Sequence, residues 1–527
     1  MRSVTPGFAV DSPLSAAQAE AEVFGSMFGL SGKRAKPLYW LTLLSGLLES
    51  LFFSGMAYGW ASLVFVLKVD GYFAGYCTNA TRDSDHAAYT DCTGQDEQFS
   101  LVMCIALIIN TIIRFPIGCV FDRFGTTVTR VISIFLFTTA TLFITLSNAE
   151  MSLLLYPAIS CLIISGTILH TTNAQVGNLF HFYRSTIITV YNGAFDSSAA
   201  VFLVIKLLHE RGVSLFVSFL FVTSCSIILL LRTLFLMPRG HIPYPLPEIY
   251  TYGVRCPGRK DKKNNKLEDM KEHEYPRKMD MQTEGTTPEM EPKKEEVASF
   301  RSCVLSWLFL WHLVWVVTIL FCHTIFLSNV NSMLTRLAKD DQTSVSHYTN
   351  AFAITQLCSV LFAPVNGLIM DRHKKRTLAT GETRRESDLR SSCLSLFLTS
   401  LQCFLFCICF TIPVLPLQYF TFVLQVINSS FFYGGHQAFI SIAFPVTHFG
   451  KMSGIAMSLS ALGLLLQVPV LHLIQHRLHG DPLYVNVGVI LLSLLAFIHP
   501  IQVSLYCRKL DKQRTITKQE ANEQQAF

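Results

Sequence analysis

Runs of about twenty or more apolar residues recur along this chain, and they restrict its fold more than any other feature. Coiled as helix, such a run crosses about 30 Å of hydrocarbon. In lipid every backbone N–H and C=O needs an internal partner, so these runs are read as helices, and the short alternating segments of a membrane β-barrel are missing. Composition agrees: the 527 residues are 51% hydrophobic and only 15% charged, with a mean hydropathy of +0.41. A soluble domain carries about a quarter charged residues. The expected fold class is an all-α membrane protein.

The runs predict twelve spans, at about 38–67, 99–121, 128–147, 151–176, 185–208 and 213–236, then 303–330, 347–370, 391–412, 416–439, 453–475 and 484–507. The net charge of +6 does not point to nucleic acid. Lys33, Arg34 and Lys36 precede the first run, seven Lys and Arg residues lie between Asp371 and Arg390, and Arg508, Lys509, Lys512 and Arg514 follow the last. Basic residues beside spans hold loops on the cytoplasmic side, which puts both termini inside. The expected organisation is a cytoplasmic tail (1–37), a six-helix bundle (38–237), a linker (238–302), a second bundle (303–507) and a tail (508–527). The linker opens with the Pro-rich run Met237–Pro247 and continues rich in Lys, Glu and Asp, so it reads as a largely disordered, solvated tether rather than a regulatory element.

Most of the 15 cysteines lie inside apolar runs, as Cys403, Cys407 and Cys409 do, and act there as small hydrophobes. Cys77 and Cys92 differ, because both lie in the large polar loop after the first span with the sequon Asn79-Ala80-Thr81. A Cys77–Cys92 disulfide and a glycan on Asn79 both suit an outward face. The sequon at Asn428 falls inside a predicted helix and is not expected to carry sugar.

Gly118-Cys-Val-Phe-Asp122-Arg123 closes the second span and Gly367-Leu-Ile-Met-Asp371-Arg372 closes the eighth. Gly admits a close neighbour, Asp can accept bonds from an adjacent helix N-terminus, and Arg can reach carboxylates on the facing bundle. The four charged residues are the expected latch that gates the cytoplasmic side. This duplicated pattern resembles the loop signature of the major facilitator superfamily, which implies two pseudo-symmetric six-helix bundles. After the first copy Gly125 leads into Thr126-Thr127 without the usual basic residues, and Arg130 is the candidate to supply that charge.

Polar side chains inside spans are costly and face the interior. Glu49 is in reach of a solute or a proton, or else pairs with a nearby polar helix. Asn173 and Gln175 end the fourth span. Asn192 and Asp196 stack four apart in the fifth, edged by Tyr191 and Phe195; they suit a flat heteroaromatic solute, and they equally suit helix–helix packing. Trp315 and His323 lie in the seventh span, where His312 is expected near the interface. Gln425, Tyr433, His436 and Gln437 lie in the tenth; His436 is a ligand or a satisfied core histidine. No Walker loop, metal-ligand motif or catalytic triad is present, so no enzyme activity and no cofactor or metal is expected.

Arg184–Ser198, Met237–Pro247 and Phe444-Pro445 with His448-Phe449-Gly450-Lys451 resemble solute carrier family 43, with similarity from about Leu41 to Leu505. The resemblance implies a plasma-membrane facilitator working without sodium or proton coupling. Two members of that family carry large neutral amino acids and a third carries the purine bases adenine, guanine and hypoxanthine. The Tyr191–Ser198 and Met237–Pro243 runs look like the purine-carrying member. Amide and aromatic groups suit a neutral base, whereas no clear buried cation is seen to bind an amino-acid carboxylate. Partners are then the bilayer and a purine nucleobase. Amino-acid facilitation, and a non-transporting sensor or scaffold, remain the alternatives.

Overall fold

The computed structural model describes residues 37–247 apart from 82–87 and 92, residues 250, 252 and 253, and residues 299–526 apart from 339–340, 375–377, 379–381, 468, 471–472, 474–476 and 479–481. Among them eight helical stretches are long and apolar enough to cross a membrane, or nine with the bent pair Thr343–Leu357 and Ser359–Asp371 taken as one span. The protein is a multi-pass membrane protein, and its described residues are helical apart from loops and one short hairpin.

The first stretch, Pro37–Val69, joins α1 (Pro37–Glu49) to α2 (Trp60–Val69) through a π turn at Ser50–Ser54 and a 3-10 turn at Met56–Gly59. The loop beyond it holds strands β1 (Thr78–Thr81) and β2 (Ala88–Asp91), paired antiparallel with Asn79 opposite Thr90. Cys77 is disulfide-bonded; Cys92 and the Asn79 side chain lie outside the described residues. Helix α3 (Thr93–Leu146) contains both the second and third expected spans. It breaks at Gly125, whose φ of 77° is a conformation that side chains strain against. Next come α4 (Leu155–Ala174), α5 (Arg184–Ser197), α6 (Ala200–Glu210), α7 (Leu215–Ser224) and α8 (Ser226–Phe235).

The second half has α9 (Phe300–Val304), α10 (Trp307–Leu337), α11 (Gln342–Leu357), α12 (Ser359–Asp371), α13 (Arg384–Thr411), α14 (Leu417–Ala443), α15 (Phe449–Leu464), α16 (Leu483–Ser493) and α17 (Ile498–Ala526). Side chains start several of these helices. Ser306 accepts the Phe309 N–H, and Thr383 with Glu386 forms a reciprocal capping box at α13. Each half has its own large apolar core: one runs from Met56 to Leu229, and the other is built mainly from residues between Cys303 and Cys507.

Two expectations need correction. The start of the linker is not a free tether. Met237 and Ile242 are buried in a third apolar cluster with Tyr191 and Leu43. The Gly240 carbonyl accepts from Thr126 Oγ1 at 2.6 Å, the Thr127 N–H donates to the Arg239 carbonyl at 3.2 Å, and Tyr252 stacks on Tyr39 at 5.8 Å. Burial pushes the Tyr244 hydroxyl up to about 12, against the pull of Arg184 beneath its ring. Local composition reads this segment as solvated because its few apolar residues, spaced by prolines, find their partners only in the folded bundle. Residues 254–298 lie outside the described set. The C-terminal tail is also not separate: α17 continues through it, and Arg514 and Asp511 pair with Glu386 and Arg390 of α13.

Candidate functional site

Among the described residues three groups of polar side chains stand out: those lining a cavity between the halves, two aspartates bonded across the halves, and a closed ion cluster inside the first half.

The cavity, about 320 Å³, is lined by α3, α4 and α5 from the first half and by α10, α11, α14 and α15 from the second. Asn192 and Asp196 both face it, as their four-residue spacing on α5 requires. Asn192 Nδ2 donates to Gln437 Oε1 at 3.2 Å, and His170 Nε2 lies 3.1 Å from Asn192 Oδ1 and 3.0 Å from Gln437 Nε2. Asp196 Oδ2 accepts from Ser359 Oγ at 3.0 Å. The bonds to Gln437 and Ser359 bridge the two halves. The Phe195 ring stands 4.8 Å from His170 and 5.5 Å from Tyr58 and forms the aromatic wall. His323, bonded to Asn428 Oδ1 at 2.6 Å, and His436 line the opposite side. The Asn428 amide also donates to the Thr399 carbonyl at 2.7 Å, so the buried second sequon is committed to the core.

Arg114 also lines the cavity; it hydrogen-bonds Tyr58, and its buried Nε has no partner among the described residues. Motif spacing does not single it out. The signal was present, because an Arg in the middle of Thr111-Ile-Ile-Arg114-Phe-Pro116 is an intramembrane charge, and such charges mark solute paths. With Arg114 in the cavity, the apparent lack of a buried cation no longer weighs against an amino acid.

Both aspartates of the expected latch are bonded across the halves. Asp122 accepts the Gly450 and Lys451 N–H groups at 3.0 and 2.9 Å, at the start of α15. Asp371 accepts the Ser185 and Thr186 N–H groups at 3.1 and 2.7 Å, at the start of α5, and the Thr186 hydroxyl at 2.8 Å. Each carboxylate thus meets the positive end of a helix from the other half. The glycines permit it: a Cβ on Gly118 would lie 2.3 Å from the Gly450 carbonyl, and one on Gly367 2.2 Å from Thr186 Cα. Arg123 and Arg372 do not reach across. Arg123 stands over Phe124, and Arg372 donates to Ile369 of its own helix at 3.0 Å. Lys374, 2.8 Å from Asp371, is the cation there, with its ammonium lowered by burial and supported by Asp371. In the first half His241 of the Pro-rich segment sits 3.2 Å from the Asp122 carbonyl.

Other expected site residues lie away from the cavity. Glu49 is enclosed by Arg130 at 2.6 Å, Arg232 at 3.0 Å and Asn173 Nδ2 at 2.9 Å. Arg130 is therefore a buried partner of Glu49 rather than a basic residue of the loop. Gln175 braces the Pro-rich segment through Thr126 at 2.6 Å and the Ile242 N–H at 3.1 Å. Tyr191 donates to the Leu43 carbonyl at 3.1 Å. Trp315 donates to Ser400 Oγ at 3.0 Å inside the second core, and His312 is buried beside it rather than interfacial.

The chain is 48% identical to the equilibrative nucleobase transporter 1 of Bos taurus over 494 residues, which cover 92% of this chain and 99% of that protein. The chain belongs to solute carrier family 43. The large neutral amino acids transporter small subunit 3 of Homo sapiens is 27% identical to it across 90% of this chain and 94% of its own length. No protein-family profile matches the chain. Among solved structures, this family 43 transporter resembles a bacterial homologue of the iron transporter ferroportin in an outward-facing state, with a TM-score of 0.51, 12% identity, and 89% of this chain and 99% of that one covered. The E. coli fucose:proton symporter matches at the same TM-score and identity over 89% and 98%. At such identity the likeness speaks for the fold alone: the family 43 chain has the major facilitator fold.

Proposed function

We propose that this transporter is a facilitator of purine nucleobases (adenine, guanine and hypoxanthine) across the plasma membrane, driven by neither sodium nor protons, with both termini cytoplasmic. The observation that carries the reading is the 48% identity, over nearly the whole of both chains, to a nucleobase transporter. The cavity chemistry supports it. A purine offers ring nitrogens, an exocyclic donor or acceptor and a π face, and Asn192, Gln437, His170 and Phe195 can meet all three. The cross-half contacts of Asp122 and Asp371 support alternating access. The bundles, each with its own core, rock about the bound base, and the Asp122 and Asp371 contacts break and re-form on the cytoplasmic side.

One observation favours a second reading. Arg114 and Asp196 place a cation and an anion in the same cavity, the pair that the carboxylate and ammonium of a neutral amino acid require. Uptake of labelled adenine and labelled leucine into cells expressing the chain separates the two. Adenine uptake that is saturable, and unchanged by sodium replacement or a pH gradient, is expected. Leucine uptake without adenine uptake would overturn the purine reading.

A further inference from the structure

His436 is the cavity end of a buried chain of three imidazoles. His436 Nδ1 lies 2.9 Å from His312 Nε2, and His312 Nδ1 lies 3.1 Å from His499 Nε2. The three residues come from α14, α10 and α17 and are at most 2% exposed. At the cavity end His436 Nε2 meets the Ser453 hydroxyl at 3.4 Å, a group that donates or accepts equally well. At the far end His499 Nδ1 is buried without a hydrogen-bond partner among the described residues. Around the chain stand aromatic faces: the Trp315 ring is 5.5 Å and the Phe439 ring 4.5 Å from His312.

A neutral imidazole has one N–H and one lone pair, and the partner of one nitrogen fixes the role of the other. In a chain of three, all must point the same way. In one polarity His436 Nε2–H faces the cavity, His312 Nε2–H donates to His436 Nδ1, and His499 Nε2–H donates to His312 Nδ1. In the other, His436 Nε2 faces the cavity as a lone pair, and the two internal bonds run outward from His436 Nδ1–H and His312 Nδ1–H. A carboxylate or a backbone N–H at the far end would select one polarity. Here no protein group among the described residues meets the far nitrogen, and a water there donates or accepts equally well, so no fixed partner selects a polarity.

We propose that this chain is a polarity relay: it lets the His436 contact donate to one base and accept from another, so that a single site takes 6-amino and 6-oxo purines. The proposal rests on the purine reading above. Adenine presents an N6–H2 donor beside an N1 acceptor, whereas hypoxanthine and guanine present an O6 acceptor beside an N1–H donor. A side chain of fixed polarity rejects one of the two, because a buried polar group is left unpaired. Reversal takes four proton transfers. The His436 Nε2 proton leaves to cavity water, the His312 Nε2 proton passes to His436 Nδ1, the His499 Nε2 proton passes to His312 Nδ1, and water supplies one proton to His499 Nδ1. One proton enters as one leaves, and the chain stays neutral.

The test fixes the far end and reads the near one. His499→Asp presents only acceptor oxygens when ionised, which sets His436 Nε2 as an acceptor. His499→Lys presents only donors and sets it as a donor. Adenine and hypoxanthine uptake are measured per surface molecule for each. The adenine-to-hypoxanthine ratio is expected to rise about tenfold in the Asp variant and to fall by a similar factor in the Lys variant. His499→Asn, whose amide can turn either way, is expected to keep the wild-type ratio. A damaged fold lowers both uptakes and leaves their ratio alone. If the charged variants fail to reach the surface, His499→Met and His499→Trp pose the same question with neutral groups. A ratio that stays constant across the opposed variants, or moves the same way in both, overturns the relay. A wild-type chain that carries neither base overturns the purine reading instead.

Discussion

Glu49 and Asp196 are both carboxylates within the same half of the protein, yet they are held in opposite ways. Glu49 has two arginines and an amide around it, and all come from its own half: Arg130, Arg232 and Asn173. Asp196 has the Ser359 hydroxyl, which comes from the other half, and it faces a cavity that also holds Arg114. A charge neutralised within one rigid body moves with that body and needs nothing from a solute. A charge whose partners lie across the cavity must change them whenever the halves rock. Where the partner sits therefore separates a structural charge from a working one.

Breaking the closed cluster should have the largest effect. Glu49→Ala leaves Arg130 and Arg232 buried side by side without a counter-charge, at a cost of about 3–5 kcal/mol. Surface biotinylation and thermal melting should show little folded protein at the membrane; a wild-type level would end the contrast drawn above. Arg114→Gln should leave surface expression intact while labelled adenine uptake falls by about tenfold or more, since a charged hydrogen bond in the cavity contributes about 1.5–3 kcal/mol. Asp196→Ala should also keep its surface level and lose uptake, by a smaller factor because it has a neutral partner. Normal kinetics in that variant would remove Asp196 from the site.

The two latches sharpen the comparison further. Asp371 accepts two backbone N–H groups and a hydroxyl and pairs with Lys374, whereas Asp122 accepts two backbone N–H groups. Asp371→Asn should thus slow exchange of preloaded base more than Asp122→Asn, with helix-end charge effects of about 1 kcal/mol setting the scale. Trp315→Phe should do least. It loses the bond to Ser400, about 1 kcal/mol, lowers the melting temperature slightly and leaves uptake unchanged. A large loss of uptake with normal stability would return Trp315 to the solute path.

The amino-acid sequence alone settled what depends on neighbours along the chain. Apolar run length sets helices that cross lipid, the repeated Gly-x-x-x-Asp-Arg segments place an acid at the end of a span in each half, and a spacing of four puts Asn192 and Asp196 on one face. Tertiary structure decided the rest. Asn173 is 124 positions from Glu49, and Arg232 is 183. No local pattern joins them, and Gln175, Tyr191 and Trp315 look as suited to a solute as Asn192 until the helices are packed. In a soluble protein the apolar stripe of a helix tells inside from outside. In lipid both faces are apolar, so the stripe fades, and only the packing of the helices shows which polar side chains bind one another and which are left facing the cavity.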